Sequence, residues 1–221
     1  MAQVIEKDTK ERILDVAERL FAENGFKATS LRTITTEAGV NLAAVNYHFG
    51  SKDALVREVL SRRIRPLNRE RFESLERLEE SEGGEPSIEQ IVEAFVAPAI
   101  RMSLDPDRGG HVFMRLFGHA MSQPDLDLRD FIAEHFRDVA KRFNRVLQRA
   151  LPDLSEREVF WRMLFMVGSM AHSMAMADQL HKVSRGLCDP HDALGILRRL
   201  VPFVAAGFRA PLPDAIDEKQ S

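Results

Sequence analysis

The feature that most constrains this 221-residue chain is the segment at residues 30–55, which reads SLRTITTEAGVNLAAVNYHFGSKDAL. Gly39 stands where a chain leaving a helix needs a positive φ, which glycine adopts without strain. Ser30, Asn41 and Ser51 each stand where an N-cap residue is expected at the start of a helix. The segment therefore predicts two short helices joined by a tight turn and followed by a third helix, which is a helix-turn-helix.

The charge of this region indicates what such a motif would contact. Residues 27–65 carry seven basic and three acidic side chains, a net charge of +4, whereas the whole chain has a formal net charge of −3. A basic patch on an acidic protein is typical of a local contact with the phosphate backbone of DNA. The second helix of the motif, here residues 42–49, is the one that enters the major groove. The sequence thus predicts a DNA-binding surface.

These residues resemble the DNA-binding domain of the TetR family of transcriptional repressors. The resemblance covers about residues 9–60. The motifs that carry it are Gly25-Phe26, Thr29, Ile34, Ala38-Gly39-Val40, Tyr47-His48-Phe49 and Ser51-Lys52. It implies an all-α fold of about nine helices, in which an N-terminal helix-turn-helix domain (residues 1–55) precedes a larger helical bundle for ligand binding and dimerisation (residues 56–210). Residues 211–221 are expected to form a disordered tail.

The resemblance also implies which side chains contact DNA. Residues at the two ends of the motif would hold phosphates, and residues at the start of its second helix would face base edges. The family usually has an aromatic residue at Asn46 and frequently a glycine at Ala43. An asparagine at position 46 is suited to hydrogen bonding with the edge of an adenine base. The implied set is Thr29, Ser30, Tyr47, His48 and Lys52 for phosphates, and Arg32, Leu42, Ala43 and Ala44 for bases. Asn46, which departs from the family, is added as a candidate for base reading instead of packing or phosphate contact.

Beyond the motif, apolar residues recur at helical spacing and no convincing strand pattern occurs. Asp189 and Pro190 are expected to open the last helix, as N-cap and first helical residue. The single cysteine, Cys188, fits a reducing cytosol. No apolar run is long enough to span a membrane, and the first residues are too charged for a signal peptide. We therefore expect a cytoplasmic protein without membrane contact.

Methionines are concentrated in one predicted helix of the bundle. Five of the nine methionines fall within residues 163–176, and Met163, Met166, Met170 and Met174 follow one another at steps of three and four. These four residues therefore share one helix face. Two interpretations remain open: a core or close-packed dimer helix, whose interleaved small residues admit a neighbour, or a wall of adaptable side chains around a flexible apolar ligand.

The segment at residues 113–123 contributes a second group of apolar side chains, with Arg115 and His119 as candidate partners for a carboxylate. Together with the methionine helix it loosely resembles the fatty-acid-responsive PsrA-type repressors, which implies a long-chain acyl ligand. The candidate ligand-binding residues are Phe95, Met102, Phe113, Met114, Arg115, Phe117, His119, Met121, Phe143, Met163, Met166, Met170 and Met174.

The resemblance, together with these patterns, implies a homodimeric repressor that controls fatty-acid metabolism. It is expected to bind a palindromic operator and to leave it when a long-chain fatty acid or acyl-CoA enters the bundle. A multidrug-responsive repressor of an efflux gene is the first alternative. A helical-bundle enzyme with a basic accessory domain is a remote one, because the sequence has no nucleophile elbow, phosphate-binding glycine loop or zinc-ligand spacing. We expect no catalytic residue, no metal and no cofactor.

Overall fold

The computed structural model describes residues 2–81, 84–105, 109–122 and 126–212, with the side chains of residues 2–8, 111, 121–122, 126 and 178 outside the described set. This part of the chain is all-α, as predicted, and contains ten helices and no strand. The helices are α1 (Ala2–Ala28), α2 (Leu31–Ala38), α3 (Leu42–Phe49), α4 (Lys52–Glu80), α5 (Ile88–Leu104), α6 (Gly110–Ser122), α7 (Leu126–Ala150), α8 (Glu156–Ala175), α9 (Ala177–Val183) and α10 (Ala193–Arg209).

The boundaries of the helix-turn-helix are fixed by local hydrogen bonds. Oγ of Ser30 accepts the N–H of Thr33 at 3.1 Å at the start of α2, and Oδ1 of Asn41 accepts the N–H of Ala44 at 2.9 Å at the start of α3. Between them Gly39 has φ 63° and ψ 38°, the left-handed conformation in which a helix commonly ends. The three predicted helix boundaries are thereby confirmed, and Ser51 caps α4 in the same way at 3.1 Å.

The chain forms two compact units, which alternate along its sequence. Unit 1 consists of Met1–Ser74 and Pro98–Arg142, and unit 2 consists of Leu75–Ala97 and Phe143–Ser221. Unit 1 contains the helix-turn-helix, with Phe21, Ile34 and Val45 fully buried in its core. Three long helices, α4, α5 and α7, pass from one unit to the other. The predicted domain boundary after residue 55 stays a prediction.

The end of the chain differs from the prediction in two ways. A short helix, α9, follows α8, so the described residues contain ten helices instead of about nine. In addition, the last helix does not open at Asp189 and Pro190. Oδ1 of Asp189 accepts the N–H of His191 at 2.9 Å, which closes a side-chain turn two residues long. The helix begins after Asp192 instead, whose Oδ1 accepts the N–H of Gly195 at 2.9 Å.

Candidate nucleic-acid interface and effector region

Helix α3 presents the side chains that the sequence assigns to base contacts. Its inner face is anchored by Val45, which is fully buried. On its outer face Leu42 is 50% exposed and Tyr47 is 76% exposed, and Ala43 and Asn46 are exposed as well. Leu42 and Tyr47 are thus two large side chains left open to solvent on one short helix, and an exposed apolar patch is the feature that indicates a partner surface. The outer side of α3 therefore has the form of a recognition surface.

The residues that would contact phosphates occupy different environments. Ser30 is exposed and His48 is half-buried. Thr29, by contrast, is 3% exposed, and its hydroxyl donates to the carbonyl oxygens of Gly25 at 2.9 Å and Leu20 at 3.2 Å. These bonds hold the connection between α1 and α2, so the observed contribution of its side chain is to position the motif. Its phosphate contact stays a prediction.

Two cations lie where α2 and α4 begin. Arg32 is exposed on the first turn of α2. Lys52 is half-buried at the start of α4, and its Nζ donates to the carbonyl oxygen of Lys27 at 3.4 Å. This bond directs a flexible ammonium toward the end of α1 while part of it remains accessible. Both residues are available for contact with an anion, and their roles remain predictions.

Part of the predicted basic patch is neutralised within the chain. Arg62 pairs with Asp15 at 2.5 Å and with Glu11 at 3.3 Å, and Arg63 pairs with the buried carboxylate of Glu18. These ion pairs join α4 to α1. The net charge of +4 counted from the sequence therefore overstates the positive charge that faces solvent, because acids of α1 pair with cations of α4. The sequence does not reveal this pairing.

In unit 2, α8 turns its methionines inward. Met163, Met166 and Met170 are 5%, 2% and 8% exposed, and Met174 is half-buried. The rings of Phe95 and Phe143, both buried, meet edge to face with centroids 5.1 Å apart. These candidate ligand residues thus belong to an apolar interior, as either interpretation of the methionine pattern requires.

The other candidate ligand residues lie in unit 1. Met102 and Phe113 are buried, Met114 and Phe117 are half-buried, and the side chain of Met121 lies outside the described residues. Arg115 is exposed. Nε2 of His119 lies 3.2 Å from the carbonyl oxygen of Ala22, so this residue connects α6 to α1. The ligand contacts of this group remain predictions.

The side of α8 opposite its buried methionines is exposed and apolar. Trp161, Leu164 and Phe165, here called the exposed α8 face, are 52%, 56% and 62% exposed, and the two aromatic rings stack with centroids 6.0 Å apart. Phe203 on α10 is 69% exposed. These residues were not predicted as a surface, although the spacing of three and four from Trp161 to Leu164 and Phe165 places them on one helix face. Contiguous exposed apolar residues of this size mark an interaction surface.

A groove lies beside this surface, between the end of α8, α9 and the start of α10. Its volume is about 710 Å³. Its walls include His172, Met176, Leu180, Leu187, Leu200 and Phe203. The groove is open and largely apolar, and it lies wholly within unit 2. The groove was not predicted from the sequence, because α9, which forms one of its walls, was not predicted.

A buried arginine joins α8 to α10. Arg162 is 6% exposed, and its Nε donates to Oε1 of Glu158 at 2.8 Å. Its Nη1 donates to the carbonyl oxygens of Phe208 at 2.7 Å and Gly207 at 3.2 Å. These carbonyls are at the C-terminus of α10, where intrahelical donors are lacking and a cation is favoured. Arg162 thus fixes the register of the two helices that carry the exposed apolar residues.

Other chemistry is not indicated by the described part of the chain. Within it, no three histidine, cysteine or carboxylate side chains converge as a metal site would require. Among the described helices, none is sufficiently long and apolar to cross a membrane.

Comparison with known proteins agrees with these features. Residues 13–59 match the family model described as "Bacterial regulatory proteins, tetR family", and residues 93–207 match "Tetracyclin repressor-like, C-terminal domain". The transcriptional repressor KstR2 of Rhodococcus jostii is 41% identical over 51 residues. These are 23% of this chain and 25% of KstR2, so the match spans about a quarter of the length of KstR2. The transcriptional regulator UidR of Escherichia coli is 25% identical over 145 residues, which are 61% of this chain and 67% of UidR.

A solved structure extends the likeness to nearly the whole chain. The transcriptional regulator FadR of Bacillus subtilis, determined in complex with stearoyl-CoA, superposes with a TM-score of 0.66 at 14% identity. The superposition covers 90% of this chain and 98% of FadR. At this identity the likeness establishes the fold alone. The C-terminal model by itself covers more than half of the residues, and with the N-terminal match it shows that the chain belongs to the TetR family of bacterial transcriptional regulators.

Proposed function

We propose that the protein is a homodimeric repressor that binds a palindromic operator through α3 and leaves it when a long-chain acyl ligand enters its helical bundle. The observation that carries the DNA-binding part is the exposed outer side of α3, which is held by caps at Ser30 and Asn41 and by the turn at Gly39. A rigid, accessible second helix is what major-groove recognition requires.

The exposed α8 face supports the homodimer. An operator read by two α3 helices needs a two-fold assembly that holds them about 34–36 Å apart, or a multiple of that distance. Trp161, Phe165 and Phe203 supply aromatic side chains of the type enriched at protein interfaces. A two-fold interface uses the same patch on both subunits, and α8 and α10 offer such a patch.

The buried methionine side of α8 supports the acyl ligand. Methionine is unbranched and polarizable, so it repacks around flexible apolar molecules. Met163, Met166 and Met170 line the interior of unit 2 in a chain whose fold is shared with a FadR that binds stearoyl-CoA. Ligand-driven release requires that the ligand bind one conformation of the dimer more tightly than the DNA-bound one.

Titration of the protein–operator complex with saturated fatty acids of eight to eighteen carbons tests the ligand. Each methylene removed from water contributes about 0.8 kcal/mol, so the concentration that releases half of the DNA should fall steadily as the chain lengthens. Dodecyltrimethylammonium is the matched control for dodecanoate, since its linear carbon chain is equally long when the carboxyl carbon is counted and its charge is opposite. A flat response to acid length, or release by the cation alone, would favour the multidrug-responsive alternative.

Two substitutions test the DNA contacts. Lys52→Ala should weaken binding to all sequences about equally and reduce the slope of log K against log salt by about one unit, because one phosphate contact is lost. Arg32→Ala should instead relax the preference at one base position by roughly 1–3 kcal/mol. Fluorescence anisotropy on the operator and on single-base variants measures both effects. Equal, sequence-independent losses from the two substitutions would contradict base reading by Arg32.

A further inference from the structure

The interior of unit 2 contains an amide without a partner. Asn144 lies on α7 and is 3% exposed. The Nδ2 atom of Asn144 makes no hydrogen bond. Among the described residues, every other buried side-chain nitrogen or oxygen has a hydrogen-bond partner. Buried polar groups are nearly always paired, and an exception calls for an explanation such as an absent ion, water or ligand.

The other buried polar side chains in the described ranges are paired. Asn68 donates to the carbonyl oxygen of His135 at 2.7 Å, and Arg162 has the carboxylate and carbonyl partners described above. An apolar residue of similar shape at position 144 would remove the cost of desolvating an amide at no loss of a hydrogen bond. The free fold therefore gains nothing from this N–H.

The buried neighbours of Asn144 on α7, Phe143, Val146 and Leu147, are apolar, whereas Arg145 beside it is exposed. Phe143, the preceding residue, is fully buried against Phe95, and the methionine side of α8 belongs to the same unit. The cations that the sequence offers as ligand anchors are elsewhere, in unit 1: Arg115 is exposed, and His119 faces the carbonyl of Ala22. Among the buried side chains of unit 2 that the structure describes, Asn144 supplies the unpaired donor.

We infer that Nδ2 of Asn144 is the polar anchor of the effector site and donates a hydrogen bond to the carbonyl oxygen of an acyl compound. The inference rests on the proposed function and specifies its ligand. A neutral amide satisfies a neutral carbonyl, whereas a buried carboxylate needs a charged partner or several donors. An acyl thioester or ester is therefore preferred over the ionised acid of the same chain length.

The test compares Asn144→Leu with Gln148→Leu, which removes a half-buried amide one turn further along α7. Isothermal titration with stearoyl-CoA and with stearic acid measures affinity, and thermal unfolding measures stability without ligand. We expect Asn144→Leu to bind stearoyl-CoA at least tenfold more weakly while its Tm equals or exceeds that of the parent. We also expect the parent to prefer stearoyl-CoA and Gln148→Leu to bind as the parent does.

Equal binding of stearoyl-CoA by Asn144→Leu and the parent would overturn the inference. A Tm of Asn144→Leu several degrees below that of the parent would also overturn it, because the amide would then have a partner in the free fold. Parent preference for stearic acid would also overturn it. If Asn144→Leu does not fold, Asn144→Ala decides by the same affinity comparison. If the parent binds neither probe, the acyl function fails, and native mass spectra of freshly purified proteins decide. A small molecule retained by the parent and lost from Asn144→Leu supports the anchor, and identical spectra refute it.

Discussion

Helices α3 and α8 both expose large apolar side chains, yet they differ in what surrounds them. Leu42 and Tyr47 on α3 stand beside capped helix termini and the accessible cations of α2 and α4. Trp161 and Phe165 on α8 stand beside further apolar residues of α10 and an apolar groove. Exposure alone indicates that a partner exists, and the neighbouring charge indicates which kind: a polyanion for α3 and a second apolar surface for α8.

A charge on the exposed α8 face is expected to have the largest effect. Phe165→Arg should convert the dimer to a monomer, because a two-fold interface would bury two unpaired cations. Operator affinity should then fall by about 100-fold or more, since the two reading heads no longer act together. Sedimentation velocity and fluorescence anisotropy measure these effects.

The matched control is Val183→Arg, which places the same charge on an apolar residue that is 84% exposed but lies outside the exposed α8 face. It should leave both mass and affinity unchanged. If Phe165→Arg remains a dimer of unaltered mass, the interface does not include the exposed α8 face. The assignment of an apolar partner to α8 would then be wrong.

The second largest effect concerns the support beneath that face. Arg162→Met should destabilise the protein by about 3–5 kcal/mol, because it removes the buried cation that pairs with the carboxylate of Glu158 and donates to the carbonyl oxygen of Phe208. Arg157→Met, an exposed arginine of the same helix, should change stability by less than about 0.5 kcal/mol. Urea unfolding distinguishes them. A similar small loss from both would mean that Arg162 does not hold α8 to α10.

The helix-turn-helix was predictable because its determinants are local. Ser30, Asn41 and Ser51 each accept an N–H from a residue three positions further on, so the bonds can be inferred from a few letters. Gly39 is recognisable for the same reason, since a left-handed residue at a helix end is a local requirement. The family resemblance added the roles of exposed side chains, which geometry alone does not assign.

The remainder depends on contacts between residues distant in sequence. The pairing of Arg62 and Arg63 with acids of α1 joins positions more than forty residues apart, and the pattern of charges does not reveal it. Asp189 and Asp192 are both suitable N-caps, and only the folded turn shows which one opens α10. The unpaired amide of Asn144 is likewise a property of the packed interior. The sequence shows an asparagine, and the fold shows that its N–H has no partner.

Gly39→Val tests the turn that positions α3. Its φ of 63° costs a residue with a Cβ roughly 1–2 kcal/mol, and a β-branched residue is the least tolerant of it. A Cβ at this position meets no atom within 4 Å, so the loss is conformational strain and not a clash. Operator affinity should fall with stability as α3 is displaced.

Gly39→Asn is the control, since asparagine visits the left-handed region more readily. It should retain most of the stability and most of the DNA binding. Thermal unfolding and anisotropy on the same preparations test this order. Equal losses from valine and asparagine would show that the turn requires something other than its backbone conformation.

The smallest expected effect comes from an exposed ion pair at the same end of α10 that Arg162 supports from within. Both guanidinium Nη atoms of Arg209 donate to the Glu89 carboxylate at 2.6 Å, and these hydrogen bonds lower the pKa of Glu89 to about 2. A carboxyl group whose pKa is lowered in the fold stabilises it above its ordinary pKa, near 4.5, and the stabilisation is lost as the pH falls toward 2. Both side chains are nearly half exposed, so solvent screens the pair.

Glu89→Gln should therefore cost about 0.5 kcal/mol at pH 7 and low salt, and the difference from the parent should shrink at 1 M salt and as the pH falls below 4. Urea midpoints at pH 7, 5, 4 and 3 measure it. Arg162→Met, which removes a side chain that is itself buried, should lose stability at both salt concentrations. If salt also abolishes the effect of Arg162→Met, the two arginines are equally accessible to solvent. The C-terminus of α10 would then be stabilised by exposed ion pairs and not by the buried arginine.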